Sequence, residues 1–387
     1  MNTVDDRFFI DKSLADLLDF NPYYPLVHSG IAGEILIGRE KYFDLASNDY
    51  LGLASRPELK EALIAGVKKY GASGCGTPIA TGYSTLFYET EQKLSEFLQL
   101  QDSVLFPSCY QANVGLFPAL ARPGDLIIFD HYVHASLVQG IRSAGCRVKP
   151  FRHNDPEHLE KVLLRSDGFD RIFVVTESVF STEGTVAPFE KIVKICRDFD
   201  ALPVIDDSHG IGVMGHRGRG ILEYCQIDEY DGLYTASLGK ALANCGGVVA
   251  GPKQIIDYLR YSCGGLIYST AVPPSILCGI GKVLDIISRD FSRLMKKMWS
   301  AKAQIEAACI KVGLDVSRGK APIISIRCES PLETLRLTQK FYENHILTTP
   351  FIPPSVPPGS GVVRLIAGAK LKKSQIETIL DVIGKLK

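Results

Sequence analysis

A chain of 387 residues and 42.4 kDa can bury a sizeable core and suits a two-part, enzyme-sized protein better than one small module. With 43 acidic against 43 basic residues, a pI of about 7.1 and a mean hydropathy of +0.08, the composition makes no charge-based case for a nucleic-acid or anionic-membrane partner. The opening "MNTVDDRFFIDKSL" has no basic stretch before an apolar run, which argues against a secretory leader, and no apolar run approaches the roughly 18 residues that span a bilayer.

The first 45 residues read as an N-terminal arm. Beyond them, β-branched apolar runs alternate with helical patterns. "SVLF" (103–106), "LIIFD" (126–130), "IFVVTES" (172–178), "LPVID" (202–206), "GLYTAS" (232–237) and "GGVVAG" (246–251) read as buried strands, with helices such as "FEKIVKICRDF" (189–199) between them. Strands apolar on both faces and separated by helices predict a mostly parallel sheet covered on both sides, hence an α/β domain over 46–275. After "STAVPPS" (269–275) comes a long helical stretch, then the short strands "APIISIRC" and "GVVRLIAGA" and a last helix "KSQIETILDVIGKL". These predict a smaller C-terminal α+β domain over 276–387. Ten cysteines spread from Cys75 to Cys328, with no C-x-x-C pair, suit reduced thiols in a cytoplasm better than disulfides or zinc.

In an open parallel sheet the ligand lies beyond the carboxyl ends of the strands. Five successive ends here carry polar or titratable groups: "PSCYQAN", "HYVHAS", "SVFSTEG", "DDSHGIG" and "SLGK". Asp206, at a buried strand end, calls for a cationic partner, which a protonated heteroaromatic nitrogen supplies. Ser108 to Asn113 follow a strand and open a helix, where free N–H groups and the helix dipole favour a phosphate. His134 is placed to stack on an aromatic ring. Lys240, desolvated, has the chemistry of an amine nucleophile. A phosphate, a ring nitrogen facing a carboxylate and a Schiff-base lysine together describe pyridoxal 5′-phosphate. "GIGVMG" (210–215) matches a dinucleotide fingerprint, but "HRGRG" follows where a helix should continue, so these glycines read as a loop.

"SNDYLGL" (47–53), "HASL" (134–137), "RHND" (152–155), "TESVFSTEG" (176–184), "DDSHGIGVMGHRGRG" (206–220), "SLGKAL" (237–242) and "LIYST" (266–270) resemble the α-oxoamine synthases, a family of fold-type I (aspartate aminotransferase-like) pyridoxal-phosphate enzymes. The resemblance runs from about residue 45 to the C-terminus. It implies that Lys240 forms the Schiff base and later removes the Cα proton, that Asp206 pairs with the ring nitrogen, and that His209 bonds the cofactor's 3-oxygen and assists the later steps. It further implies that His134 stacks on the ring, and that Ser108, Cys109 and Tyr110, with Ser181 and Ser237, contact the cofactor. Ser269 and Thr270 would reach the phosphate of a neighbouring subunit, implying a homodimer. Asn48 and Arg364 would hold the amino-acid substrate, Arg364 through its carboxylate.

The implied reaction is a decarboxylative condensation of glycine, alanine or serine with an acyl thioester, giving an α-aminoketone. The chain departs from the family's pattern in places. "SGCGTPIATGYS" (73–84) carries Pro78 near an expected arginine, "IPPSVP" (352–357) has Ile352 in place of one, and "SLGKALANCGG" has alanine and asparagine for glycines. "SNDYLGL" and "LIYST" look most like 8-amino-7-oxononanoate synthases, whereas "SLGKAL" and "DDSH" look more like aminoketobutyrate ligases. A lyase or aminotransferase on the same fold, needing no thioester, and a non-catalytic subunit are the alternatives. The joint presence of Lys240, Asp206, His209 and His134 argues against the last.

Overall fold

The computed structural model describes residues 13–317 and 319–386. Most of the segment used to argue against a leader lies outside the described residues. After the helix Ser13–Leu18 the chain makes a hairpin of β1 (Glu34–Ile37) and β2 (Glu40–Asp44). The strands β3 (Asp102–Phe106), β4 (Leu126–Asp130), β5 (Arg147–Phe151), β6 (Ile172–Glu177), β7 (Leu202–Asp206), β8 (Leu233–Ser237) and β9 (Gly247–Gly251) then build one sheet in the order β3-β9-β8-β7-β6-β4-β5. The neighbours from β8 to β5 pair in parallel, while β9 runs antiparallel to both β8 and β3. The connection 238–246 explains the reversal: it is shorter than the dozen or more residues a parallel crossover needs.

The α/β expectation and six strands read from the sequence are met. The seventh, β5, is an edge strand whose "RVKPF" is exposed over most of its length, so it has no apolar run to reveal it. Helices cover both faces of the sheet, giving two apolar clusters.

The C-terminal part holds β10 (Ile323–Cys328), β11 (Ile346–Leu347), β12 (Thr349–Phe351) and β13 (Gly361–Ile366). An antiparallel sheet runs β10-β13-β12, and β11 pairs in parallel with β2, bringing the N-terminal hairpin onto this part. The helix Pro274–Lys311 joins the two parts: Leu277 through Met298 pack in the first cluster, whereas Ala301, Ile305 and Cys309 pack with β10 and β13. The helix starts at Pro274, and its packing passes from one core to the other between Met298 and Ala301. No helix among the described residues is long and apolar enough to cross a membrane.

Candidate active site

A cleft of about 310 Å³ opens at the carboxyl edge of the central sheet. Ser108, Cys109, Tyr110, His134, Asp206, His209, Ser237 and Lys240 all line it, with Asn113, Ser136, Glu177 and Ser208. Glu177, Asp206 and Ser237 are the last residues of β6, β7 and β8, so the parallel strands themselves aim these side chains at one rim.

Asp206 forms the floor. It is 4 % exposed, and its Oδ2 accepts from Asn113 Nδ2 at 2.7 Å while its Oδ1 accepts from the Ser208 amide at 3.0 Å. Asn113 Nδ2 also donates to Ser136 Oγ at 3.1 Å, and that hydroxyl lies 2.8 Å from His134 Nδ1. The Glu177 carboxyl accepts the His134 amide at 2.5 Å. Burial, then the neighbouring Asp206, pushes Glu177 well above the ordinary carboxylate range, and burial lowers His134. These contacts fix the position of His134 at the N-cap of the helix Ala135–Arg142.

Lys240 follows β8 and projects into the cleft, and its Nζ has no hydrogen-bond or ion-pair partner among the described residues. Burial lowers its pKa, with Asp206 pulling the other way. His209 is 6 % exposed, and Tyr50 Oη lies 2.8 Å from its Nδ1. Burial, then the charges of Lys240, Arg364 and His134, holds its pKa well below the usual histidine value, so the ring stays neutral.

The helix Cys109–Leu120 begins at the cleft. Ser108 caps it, its Oγ accepting from the Gln111 amide at 3.1 Å, while the Cys109 and Tyr110 amides find no acceptor among the described residues. A Cβ on Gly247 would lie 2.4 Å from the Cys109 nitrogen, so only a glycine on β9 lets this helix start so close to the sheet. The Cys109 thiol is buried, and burial raises its pKa, so it offers its amide rather than a thiolate.

Five candidates do not line the cleft. Asn48 lies in the turn after β2, its Oδ1 buried without a partner. A buried ion pair anchors that turn: Lys370 Nζ lies 2.7 Å from Asp44 Oδ2 and donates to Ser47 Oγ at 2.7 Å. Arg364, on β13, is 7 % exposed; its Nη1 donates to the Ser181 carbonyl at 3.2 Å, its guanidinium lies 4.8 Å from the Phe351 ring centroid, and its Nε has no partner among the described residues. That bond joins Ser181 to Arg364 and not to the cleft. Ser269 accepts from Gln111 Nε2 at 2.5 Å, and Thr270 beside it is exposed. Asn113, Ser136, Ser208, Glu177 and Tyr50 escaped individual notice in the sequence, although three of them, Asn113, Ser136 and Ser208, sit inside the strand-end motifs.

The residues present fit pyridoxal phosphate. A lysine with no partner among the described residues lines the cleft with a buried, hydrogen-bonded carboxylate, and two open amides at a helix N-terminus suit a phosphate.

A mostly parallel sheet with this lysine, aspartate and helix N-terminus at its carboxyl edge defines the fold-type I pyridoxal-phosphate transferases. Residues 40–383 match the family described as "Aminotransferase class I and II", and the chain belongs to that family, in its α-oxoamine synthase branch. A putative 8-amino-7-oxononanoate synthase of Aquifex aeolicus is 33 % identical over 345 residues, covering 89 % of this chain and 91 % of the relative. A serine palmitoyltransferase of Bacteriovorax stolpii is 29 % identical over 94 % of this chain and 87 % of its own. The solved Sphingomonas wittichii serine palmitoyltransferase superposes with a TM-score of 0.93 at 23 % identity, covering 99 % of this chain and 98 % of that one, which establishes the shared fold.

Proposed function

We propose that the protein condenses a small amino acid (glycine, alanine or serine) with an acyl thioester, releasing CO₂ and an α-aminoketone, most nearly as an 8-amino-7-oxononanoate synthase does. The observation that carries this is Lys240: a desolvated amine with no partner among the described residues, lining with Asp206 a cleft of about 310 Å³. Bound pyridoxal phosphate supplies the electron sink that accepts the electron pair left on the amino acid's α-carbon.

The chain's own residues do the rest. Asp206, oriented by Asn113 and the Ser208 amide, keeps a proton on the ring nitrogen. The Cys109 and Tyr110 amides and the Ser237 hydroxyl would hold the phosphate, and His134 would stack on the ring. Lys240, its pKa lowered by burial, would bond the cofactor through its amine and take the Cα proton of the substrate. His209, neutral and fixed by Tyr50, would bond the cofactor's 3-oxygen and assist the acyl transfer. Arg364 offers its free Nε edge to the amino acid's carboxylate, and Asn48 helps to hold the amino acid.

A homodimer completes the site through Ser269 and Thr270 of the second copy. Its support is the exposed aromatic surface beside them, where Tyr261 is 77 % and Tyr268 86 % exposed, a surface that a partner subunit covers. The composition and cysteine usage favour a cytoplasmic enzyme.

The test is an absorbance titration of purified protein with pyridoxal phosphate, then glycine, alanine and serine, then an acyl-CoA. We expect a visible band that Lys240→Ala abolishes, that one amino acid shifts, and free thiol on adding thioester. A protein that takes up no cofactor refutes the reading. One that answers to amino acids and ignores every thioester is a lyase or aminotransferase instead.

A further inference from the structure

The loop after β6 is fastened to the C-terminal part by four consecutive carbonyls. Ser181 O accepts from Arg364 Nη1 at 3.2 Å, Thr182 O from Ser325 Oγ at 2.5 Å, Glu183 O from Ser317 Oγ at 2.8 Å, and Gly184 O from the Ala321 amide at 3.2 Å. The loop is a tight hairpin held by the Phe180 and Gly184 amides, at 3.0 Å to Thr185 O and 2.8 Å to Phe180 O. Its backbone is therefore stiff enough to transmit position. The approach is close: a Cβ on Gly319 would lie 2.6 Å from Gly184 O and 2.7 Å from Glu183 O.

The donors are coupled to Arg364. Ser325 on β10 pairs directly with Arg364 on β13, so the two side chains stand on one face of the sheet. The Ser317 amide donates to Ser325 O at 2.8 Å, which ties the outer rung to the same strand. Ser325 is 1 % and Ser317 8 % exposed, so neither hydroxyl has water as an alternative partner. At the other end, β6 finishes at Glu177, a wall of the cleft.

We propose that Ser325 and Ser317 are positioning residues for the amino-acid substrate. By donating to Thr182 O and Glu183 O they set how far β13, and hence the Arg364 guanidinium, stands from Lys240 and Asp206. The loop thus acts as a gauge between the part that holds the cofactor and the part that holds the substrate carboxylate. This inference rests on the reading of Arg364 given above.

Ser325→Ala and Ser317→Ala test it, the second lying outside the sheet and so posing less risk to folding. In each variant the equilibrium dissociation constant for the amino acid, read from the visible band, rises about 3- to 10-fold, the scale of one lost buried hydrogen bond. The KM for the thioester and the kcat stay within about twofold. Amide exchange, followed in the cofactor-free protein, speeds up at Ala321 and Gly184. An unchanged amino-acid constant in both variants, when the wild type responds normally, overturns the inference and leaves the functional reading standing. An equal loss of thioester binding also overturns it, since it marks general loosening. A wild-type protein that answers to no amino acid overturns the functional reading and this inference with it.

Discussion

Asp207 lies next to Asp206 in the chain but faces the core. Its side chain is fully buried, and its Oδ2 accepts from Tyr234 Oη at 2.8 Å and from the Ile221 amide at 2.9 Å. Burial lifts its pKa from 3.8 to about 7, against the hydrogen bonds from Ile221 and Tyr234. A carboxyl whose folded pKa lies above its unfolded value keeps its proton in the folded protein when the unfolded chain has lost it. Its contribution is intact below about pH 4 and erodes as the pH climbs toward 7. At about 1.4 kcal/mol per pH unit the whole gap is worth about 4 kcal/mol. Asp207→Asn keeps the shape and removes the titration. The variant should match the wild type near pH 4 and exceed it by about 2–4 kcal/mol in unfolding free energy at pH 8. Guanidinium titrations of cofactor-free protein from pH 4 to 8 measure this, read from Trp299, the single tryptophan, which packs on the first core cluster. If the two proteins give parallel stability–pH curves, the buried-acid reasoning is wrong.

Asn113→Asp puts a second carboxyl at the 2.7 Å contact with Asp206, where two negative charges repel by about 6 kcal/mol at an effective dielectric of about 20. The pair should retain a proton, so the variant's thermal midpoint falls progressively below the wild type's from pH 5 to 8; a constant offset would refute this. Arg364→Lys replaces a planar fork by a point charge, and the KM for the amino acid should rise about 10-fold with a smaller change in kcat. An unchanged KM would remove Arg364 from the substrate site.

The central sheet was legible because its strands are buried on both faces and therefore spell continuous apolar runs, as "LIIFD" and "LPVID" do. The hairpin β1–β2 was not: "EILI" and "EKYFD" are short, carry charge and are only partly buried, and what stabilises them is a strand some 300 residues away. The same divide runs through the site. Lys240, Asp206 and His134 could be found because strand ends converge by topology alone. The Asn113–Asp206 and Tyr50–His209 bonds could not, because they join residues that only the folded chain brings together. Arg364 is an intermediate case: an arginine inside "GVVRLI", a strand buried at every position, cannot be a surface charge, yet only the resemblance suggested what it holds.

The parallel pairing of β2 with β11 imposes a timetable on synthesis. Phe43 finds its neighbour only when Ile346 has been made, roughly 300 residues later, which at 5–20 residues per second means about 15–60 s of waiting. During that interval the hairpin has Ile35 and Tyr42, buried in the finished protein, without the segment that closes its free edge. The turn that carries Asn48 and Tyr50 follows directly and depends on Lys370, which emerges later still. A nascent chain can assemble the central sheet while it waits, but this turn is tied down only once Lys370 has been made, so a product truncated before it would lack the anchored turn even with most of its core in place.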